Sequence, residues 1–307
     1  LEDRDRDVRR AAIAALDHVC EKGDLRAIVA VSSRLEHLSN YVRKSAVEAM
    51  PQVCSKSDEQ GLEAASSRLE HFDFHVRDAA VEAVVQISER NDIQAVHAAG
   101  KRLEHGEEFA RKAAVEAIVR VCDKGVNCAV EAIRRRLDHR ESDVRLNATR
   151  AVSKVCEKGD RRGIEALGGR LEDEDGAVRR AAVESMVLVC VRGDDGIIEL
   201  LYKRLEDTDK DVRRVTVVAL VKVCEHGDGR TVKAVSKCLE DIKRDVRRVA
   251  VEAIPEICGR GDDWAIESTT ARLEDMDRDV RRAAVKAVGL VCKKGDDFAI
   301  EEVSKHL

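Results

Sequence analysis

The chain has 307 residues, 37% of them charged, and opposite signs are interspersed so that the net charge is only −5. This balance is typical of a well-solvated surface and argues against a nucleic-acid-binding protein, whose basic residues gather on one face. No apolar run approaches the roughly 20 residues that a membrane-spanning helix needs. Membrane insertion is therefore not expected.

A leucine recurs every 34 residues without insertion or deletion. These leucines are Leu1, Leu35, Leu69, Leu103, Leu137, Leu171, Leu205, Leu239, Leu273 and Leu307. The period predicts nine repeats that form one domain over residues 1–307, because a repeat array grows by adding units to a continuous core. Since the chain starts and stops in the same repeat phase, we expect a fragment of a longer array, whose uncapped ends could make end-to-end contacts.

Each repeat predicts two helices joined by a turn. In the ninth repeat, apolar residues recur at the three-and-four spacing of an amphipathic helix, which we expect from about Asp279 to Cys292. These residues are Val280, Ala284, Ala287, Val288 and Val291. Gly295 and Asp296 are suited to ending this helix and capping a second, shorter one. The inward-facing residues of the second helix are predicted to be Ala299, Ile300 and Val303.

Cysteine also follows the repeat, since eight of the ten occupy one position: Cys20, Cys54, Cys122, Cys156, Cys190, Cys224, Cys258 and Cys292. Neighbouring members should lie about 8–10 Å apart, the packing distance of helices, whereas a disulfide needs Cα atoms within roughly 7 Å. We therefore predict reduced, buried thiols and an intracellular location. A metal or redox role is the alternative, although no C-x-x-C pair supports it.

Arginine occupies the ninth position of every repeat, at Arg9, Arg43, Arg77, Arg111, Arg145, Arg179, Arg213, Arg247 and Arg281. Each is predicted on the helix flank, where a charge needs a partner. Loop acids such as Asp209 and Asp211 beside Arg213 are expected to accept its hydrogen bonds and to cap the helix. We interpret these arginines as a structural ladder. Calcium binding by the Asp-x-Asp-x-Asp loops is the alternative, but the glycine that a calcium loop requires at its sixth place is absent, so no metal is expected.

The tenth position is basic in seven of the nine repeats, which by itself could suggest a phosphate-binding ridge. Four of these residues have a glutamate one turn later, in the pairs Lys44/Glu48, Lys112/Glu116, Arg180/Glu184 and Arg248/Glu252. Such i,i+4 pairs would neutralise the ridge locally. Nucleic acid is therefore not an expected partner.

Histidine forms a row at the third position of repeats two to five, at His37, His71, His105 and His139. Neighbouring members should be about 8–10 Å apart, too far to share one metal ion, and the polarity of the loop is the expected explanation. No grouping of nucleophile, base and orienting residue is readable from local spacing. We predict no catalytic residue and no cofactor.

The motif D-x-D-V-R-R-A-A-V-E-A, represented by Asp5 to Ala15, resembles the HEAT family, specifically its short form named after phycobilisome lyases. The resemblance covers the whole chain, and repeat four departs from it with Ala110-Arg111. Tetratricopeptide repeats have the same length but need bulky aromatics and a closing proline, and this chain has seven aromatic residues and two prolines. The resemblance implies an all-α solenoid, a superhelix of nine helix-turn-helix HEAT-like repeats, with the Val-Arg helix on the concave face.

Residues that break the repeat are the candidates for partner binding. Apolar and aromatic groups occupy the loops of repeats two to four, at Leu38, Tyr41, Phe72, Phe74 and Phe109. Because aromatic residues dominate binding hot spots, they predict an anchor for a protein or peptide partner. In the alternative interpretation, Leu38 and Phe72 tuck against the following helix.

Repeats six and seven carry apolar residues on the side of the first helix that is polar elsewhere, at Val187, Leu188, Val191, Val218 and Val221. An exposed apolar patch there predicts a second partner-binding surface. Alternatively, tight curvature buries position 17 of the repeat.

The function of the chain is predicted to be that of a non-catalytic protein-protein interaction scaffold. The alternatives are a cofactor-handling or enzyme subunit related to bilin lyases, and an architectural spacer.

Overall fold

The computed structural model describes residues 1–295 and 297–304, and the regular secondary structure in these ranges is helical, without β-strands. The predicted all-α class is confirmed. Asp296 and Leu307, and the side chains of Ala299 and Val303, lie outside the described residues. Ile300, which was predicted to face inward, is exposed. None of the described helices is both long and apolar enough to cross a membrane.

The repeats alternate long and short helices. The long first helices are α1 (Arg6–Val19), α3 (Asn40–Val53), α5 (Phe74–Ile87), α7 (Glu108–Val121), α9 (Ser142–Val155), α11 (Gly176–Val189), α13 (Lys210–Val223), α15 (Arg244–Ile257) and α17 (Arg278–Val291). The second helices are α2 (Leu25–Ser32), α4 (Glu59–Ser66), α6 (Ile93–Gly100), α8 (Asn127–Arg134), α10 (Arg161–Arg170), α12 (Asp195–Arg204), α14 (Gly229–Ser236), α16 (Asp263–Thr270) and α18 (Asp297–Ser304). Several second helices continue into a 3-10 turn, at Ser33–Glu36, Ser67–Glu70, Lys101–Glu104, Lys237–Glu240 and Ala271–Glu274.

The ends of these helices follow from their capping residues. Helix α17 spans residues 278–291, within one residue of the predicted bounds at each end. It begins after Asp277, whose carboxylate accepts hydrogen bonds from the amides of Asp279 and Val280 at 2.9 and 3.3 Å. The acidic loops thus supply helix caps, which satisfy amides that have no partner inside the helix.

The turn between the two helices of a repeat also ties that repeat to the next one. Gly23 has a φ of 91°, which an L-residue rarely adopts. In this conformation its amide donates a 2.8 Å hydrogen bond to the carbonyl of Val53, at the end of the next first helix. Ser57 and Asn91 adopt the same left-handed conformation in repeats two and three.

The helices form two compact units, residues 1–157 and residues 158–307. In the first unit the first helices α1 to α9 pack side by side, as do the second helices α2 to α8, and each second helix packs on the first helix that follows it. In the second unit α11, α13, α15 and α17 pack side by side, and α10, α12, α14 and α16 each pack on the next first helix. The repeat leucine contributes to both cores: Leu35, Leu69, Leu171 and Leu273 are buried.

The cysteine position lies at the end of each first helix, next to the core. Cys54, Cys190, Cys224 and Cys258 are reduced and buried. Burial raises the pKa of the Cys54 thiol to about 12 and that of Cys258 to about 11, because the thiolate would lose its hydration. Such thiols carry little thiolate at neutral pH and act as small packing residues.

Candidate functional site

The arginine of position nine links a helix to two loops. In Arg213, Nη1 donates to the carbonyls of Asp207 and Thr208 in its own repeat, at 2.7 and 3.3 Å. Its Nε and Nη2 donate to the two carboxylate oxygens of Asp241 in the next repeat, at 2.6 and 2.9 Å. Equivalent pairs join Arg179 to Asp207 and Arg247 to Asp275.

The partner of this arginine differs from the expected one. Asp209, expected beside Arg213, caps α13 instead by accepting a 2.7 Å hydrogen bond from the amide of Asp211. The ion-pair partner is instead the aspartate at the third position of the next repeat, which is Asp241 for Arg213. Burial raises the pKa of Asp241, but hydrogen bonds from Arg213 and from the amide of Lys243 outweigh it and hold that pKa below the ordinary value.

In residues 1–157, histidine occupies the position of this aspartate and makes one of its two contacts. The Nδ1 atom of His37 accepts a 3.0 Å hydrogen bond from the amide of Ser39, as Asp207 does from Asp209 at 2.9 Å. The same contact is made by His71, His105 and His139. An imidazole can therefore shape the loop, but it offers no carboxylate to an arginine. This contact accounts for the histidine row, and the described residues contain no group of three side chains placed to hold a metal ion.

Four arginines of the first unit consequently lack the carboxylate that their counterparts have. Buried Nε atoms of Arg43 and Arg111 have no hydrogen-bond partner among the described residues. Aromatic rings stand near two other arginines. Arg9 lies 5.7 Å from the ring centroid of Tyr41, and Arg77 lies 4.6 Å from that of Phe109. These distances are within the range of cation–π attraction.

A cavity of about 520 Å³ opens beside Arg77, on the face formed by α5, α7 and α9. We call it the α5–α9 groove. The rings of Phe74 and Phe109 flank Arg77 at 5.9 and 4.6 Å from its guanidinium. Apolar lining residues of the groove are Val81, Ala113, Val115 and Ala151, and its charged ones are Arg77, Asp78, Lys112, Glu116, Arg150 and Lys154. Four cations and two carboxylates thus surround an apolar floor.

The charge pairing of this face departs from the prediction. Lys112 forms its ion pair with Glu108 at 2.8 Å, and its predicted pairing with Glu116 does not form. Among the four predicted i,i+4 pairs, Arg248 with Glu252 forms, at 2.8 Å. The basic tenth position is therefore less neutralised in the described residues than the sequence suggested.

The loop residues at the fourth repeat position point into solvent. Leu38 is 96% exposed and Phe72 is 81% exposed, so the interpretation that they tuck against the following helix is wrong. Phe72 stacks on the ring of His71, with centroids 4.5 Å apart. Sequence reasoning missed Ile242 and Met276, which are exposed at the same repeat position. Their shared position with Leu38 was the signal that could have found them.

The valine-rich set divides into half-buried and exposed members. Position 17 is half-buried in repeats two to eight, at Pro51, Val85, Val119, Ser153, Val187, Val221 and Pro255, and exposed in repeats one and nine, at Asp17 and Gly289. Val187 and Val221 therefore occupy a packing position. Leu188 and Val218 are 64% and 39% exposed on the adjacent helices α11 and α13. Val191 lies beyond the end of α11, next to Gly159. A Cβ added to Gly159 would lie 3.3 Å from Cγ2 of Val191.

Comparison with known proteins identifies the family. Importin beta, crystallised in an ammonium sulfate condition, matches with a TM-score of 0.52 and 15% identity over 99% of this chain and 46% of its own. YibA of E. coli matches with a TM-score of 0.49 and 16% identity over 94% of this chain and 99% of its own. An engineered protein matches with a TM-score of 0.45 and 19% identity over 99% of this chain and 90% of its own. No curated protein matches. The predicted HEAT-like repeat is confirmed, and since residues 1–259 match the family model described as the adaptin N terminal region, the chain belongs to that family.

Proposed function

We propose that this chain is a non-catalytic protein-interaction scaffold that binds an extended peptide segment of a partner in the α5–α9 groove. The observation that carries the proposal is the pair of aromatic rings, Phe74 and Phe109, that brackets Arg77 beside an apolar floor. Binding hot spots are enriched in aromatic residues and arginine. A volume of about 520 Å³ is also in the range of pockets that enclose a few side chains.

The charges around the groove favour a peptide as the occupant. Cations and carboxylates both line it, so the rim can meet the backbone carbonyls, amides and mixed side chains of an extended segment. Lys112 and Arg150 are both paired with Glu108, at 2.8 and 3.8 Å, which leaves Lys154 on α9 as the main polar contact. The exposed Leu38 and Phe72, and separately Leu188 and Val218, would make additional contacts with a larger partner.

A displayed random-peptide library selected on the purified chain tests this proposal. We expect one enriched class of peptide, whose affinity, measured by fluorescence anisotropy, falls at least tenfold (about 1.4 kcal/mol) in Phe74→Glu. Phe72→Glu is the matched control, because Phe72 is an exposed aromatic outside the groove lining. Both variants should keep the helical circular dichroism of the parent.

The proposal fails if no peptide class is enriched, or if the selected peptide binds Phe74→Glu as tightly as the parent. Equal loss in Phe72→Glu would place the contact on the loop tips instead. A visible absorbance band in the purified chain would favour the cofactor-handling alternative.

A further inference from the structure

We propose that a second cavity, between α1 and α3, binds a phosphomonoester carried by a partner peptide. This cavity of about 430 Å³ is called the α1–α3 pocket. Its cationic lining residues are Arg4, Arg6, Arg9, Arg10 and Lys44. Glu48 is the one carboxylate among its lining residues. The pocket is distinct from the α5–α9 groove, with which it shares no lining residue.

Most of these cations are uncommitted. The side chains of Arg4, Arg6, Arg10 and Lys44 make no ion pair or hydrogen bond with the residues that the structure describes. The predicted pairing of Lys44 with Glu48 does not form, although both line the pocket. Five cations and one carboxylate line the pocket, so the lining carries a net positive charge that favours an anion.

Arg9 supplies a donor that is already held in place. It is 7% exposed, its Nε donates to Oγ of Ser45 at 3.2 Å, and its Nη1 donates to the carbonyls of Asp3 and Arg4 at 2.8 and 2.9 Å. Its Nη2 has no acceptor among the described residues.

The comparison with Arg213 shows which group is missing. There the equivalent Nη2 binds a carboxylate oxygen of Asp241 at 2.9 Å. In the first unit, the loop position of that aspartate is filled by His37. Because Nε of Arg9 already donates to Ser45, Nη2 is the donor on this edge of the guanidinium that is available to an external anion.

The charge and shape of a phosphomonoester match this arrangement. It carries about −1.5 to −2 charges and three acceptor oxygens, which several arginines can bind at once. A long polyanion would need cations along the whole face, but Asp78 and Glu116 interrupt the α5–α9 groove. A lipid bilayer would need apolar side chains around the pocket, and Tyr41 is the one large apolar group that lines it. A phosphorylated peptide fits best.

The test uses a short glycine-rich peptide with one phosphoserine, observed by the ³¹P line width during titration with the full chain. We expect broadening with the parent chain and at least tenfold weaker binding by the double variant Arg10→Ala/Lys44→Ala. Both residues are exposed, so circular dichroism should show an intact fold. Arg180→Ala/Arg214→Ala is the matched control, because it removes two arginines from the same repeat position outside the pocket and should bind like the parent.

Three outcomes would overturn the proposal. One is the absence of broadening; another is equal weakening in both double variants, which would indicate unspecific attraction. The third is tighter binding of single-stranded DNA or of phosphoinositide vesicles than of the phosphopeptide, dependent on Arg10 and Lys44. Phe74→Glu should leave phosphopeptide binding unchanged. The phosphopeptide titration of the α1–α3 pocket and the peptide selection for the α5–α9 groove can therefore fail separately.

Discussion

At the scale of single residues, the left-handed turn between the two helices of a repeat allows us to predict how a glycine substitution changes the free energy of unfolding. Gly227 has a φ of 84° and an added Cβ would meet no atom within 4 Å. Gly227→Ala should therefore cost about 1–2 kcal/mol from backbone strain alone. Gly229, the first residue of α14, is equally open, and Gly229→Ala should be neutral or stabilising by roughly 0.4–1 kcal/mol.

Urea unfolding of both variants measures these two free energies. Equal effects of the two substitutions would contradict the strain argument, because the positive φ is what distinguishes the sites. Two other residues show how a side chain is accommodated in the left-handed turn. Oγ of Ser57 donates to Asp92 at 2.6 Å, and Oδ1 of Asn91 accepts from the amide of Asp123 at 2.9 Å.

At the scale of elements, the arginine–aspartate pair joins α13 to the loop before α15. Asp241→Asn should cost about 2–3 kcal/mol at pH 7, because Arg213, whose side chain is 12% exposed, loses its countercharge. The pKa of Asp241 is depressed in the folded chain. The stabilisation is therefore complete above the unfolded value, near pH 4, and is lost as the pH falls through the lower folded value. The difference between variant and parent, followed by urea unfolding from pH 7 to pH 2, should shrink only below about pH 4.

The converse substitution is available in the first unit. Arg43 has a buried Nε without a partner among the described residues, and His71 occupies the loop position of the missing aspartate. His71→Asp should stabilise the chain by about 1 kcal/mol at pH 7. Two results would show that this pair does not hold the loop to the helix. One is a His71→Asp variant that is less stable than the parent, and the other is a destabilisation by Asp241→Asn that persists at pH 2.

The sequence predicted both ends of α17 within one residue, because the apolar spacing and the capping acids act locally. It missed Asp241 as the partner of Arg213, since 28 residues separate them and only the packing of neighbouring repeats brings them together. For the same reason Val187 was indistinguishable from the exposed Leu188. The sequence did not predict the α5–α9 groove, although it singled out Phe74 and Phe109, which line it. The floor of the groove depends on the relative depth of three helices, which a periodic pattern does not encode.

At the scale of the whole molecule, contacts run between elements that are close in sequence. Within residues 1–157, and again within residues 158–307, the helices pack on the next one or two helices along the chain. In such arrays stability is approximately a sum of repeat and nearest-neighbour terms. Damage to one repeat is therefore expected to stay local, whereas the single domain predicted over residues 1–307 would unfold as one unit.

Two matched core truncations distinguish these behaviours. Leu62 on α4 and Leu201 on α12 are both fully buried, so Leu62→Ala and Leu201→Ala should each cost about 2–5 kcal/mol. Hydrogen exchange read by mass spectrometry should show faster amide exchange within residues 1–157 for Leu62→Ala and within residues 158–307 for Leu201→Ala, with the other unit unchanged. If either truncation accelerates exchange equally in both units, the chain unfolds cooperatively as one domain. In that case a partner bound at the α5–α9 groove would stabilise residues 158–307 as well.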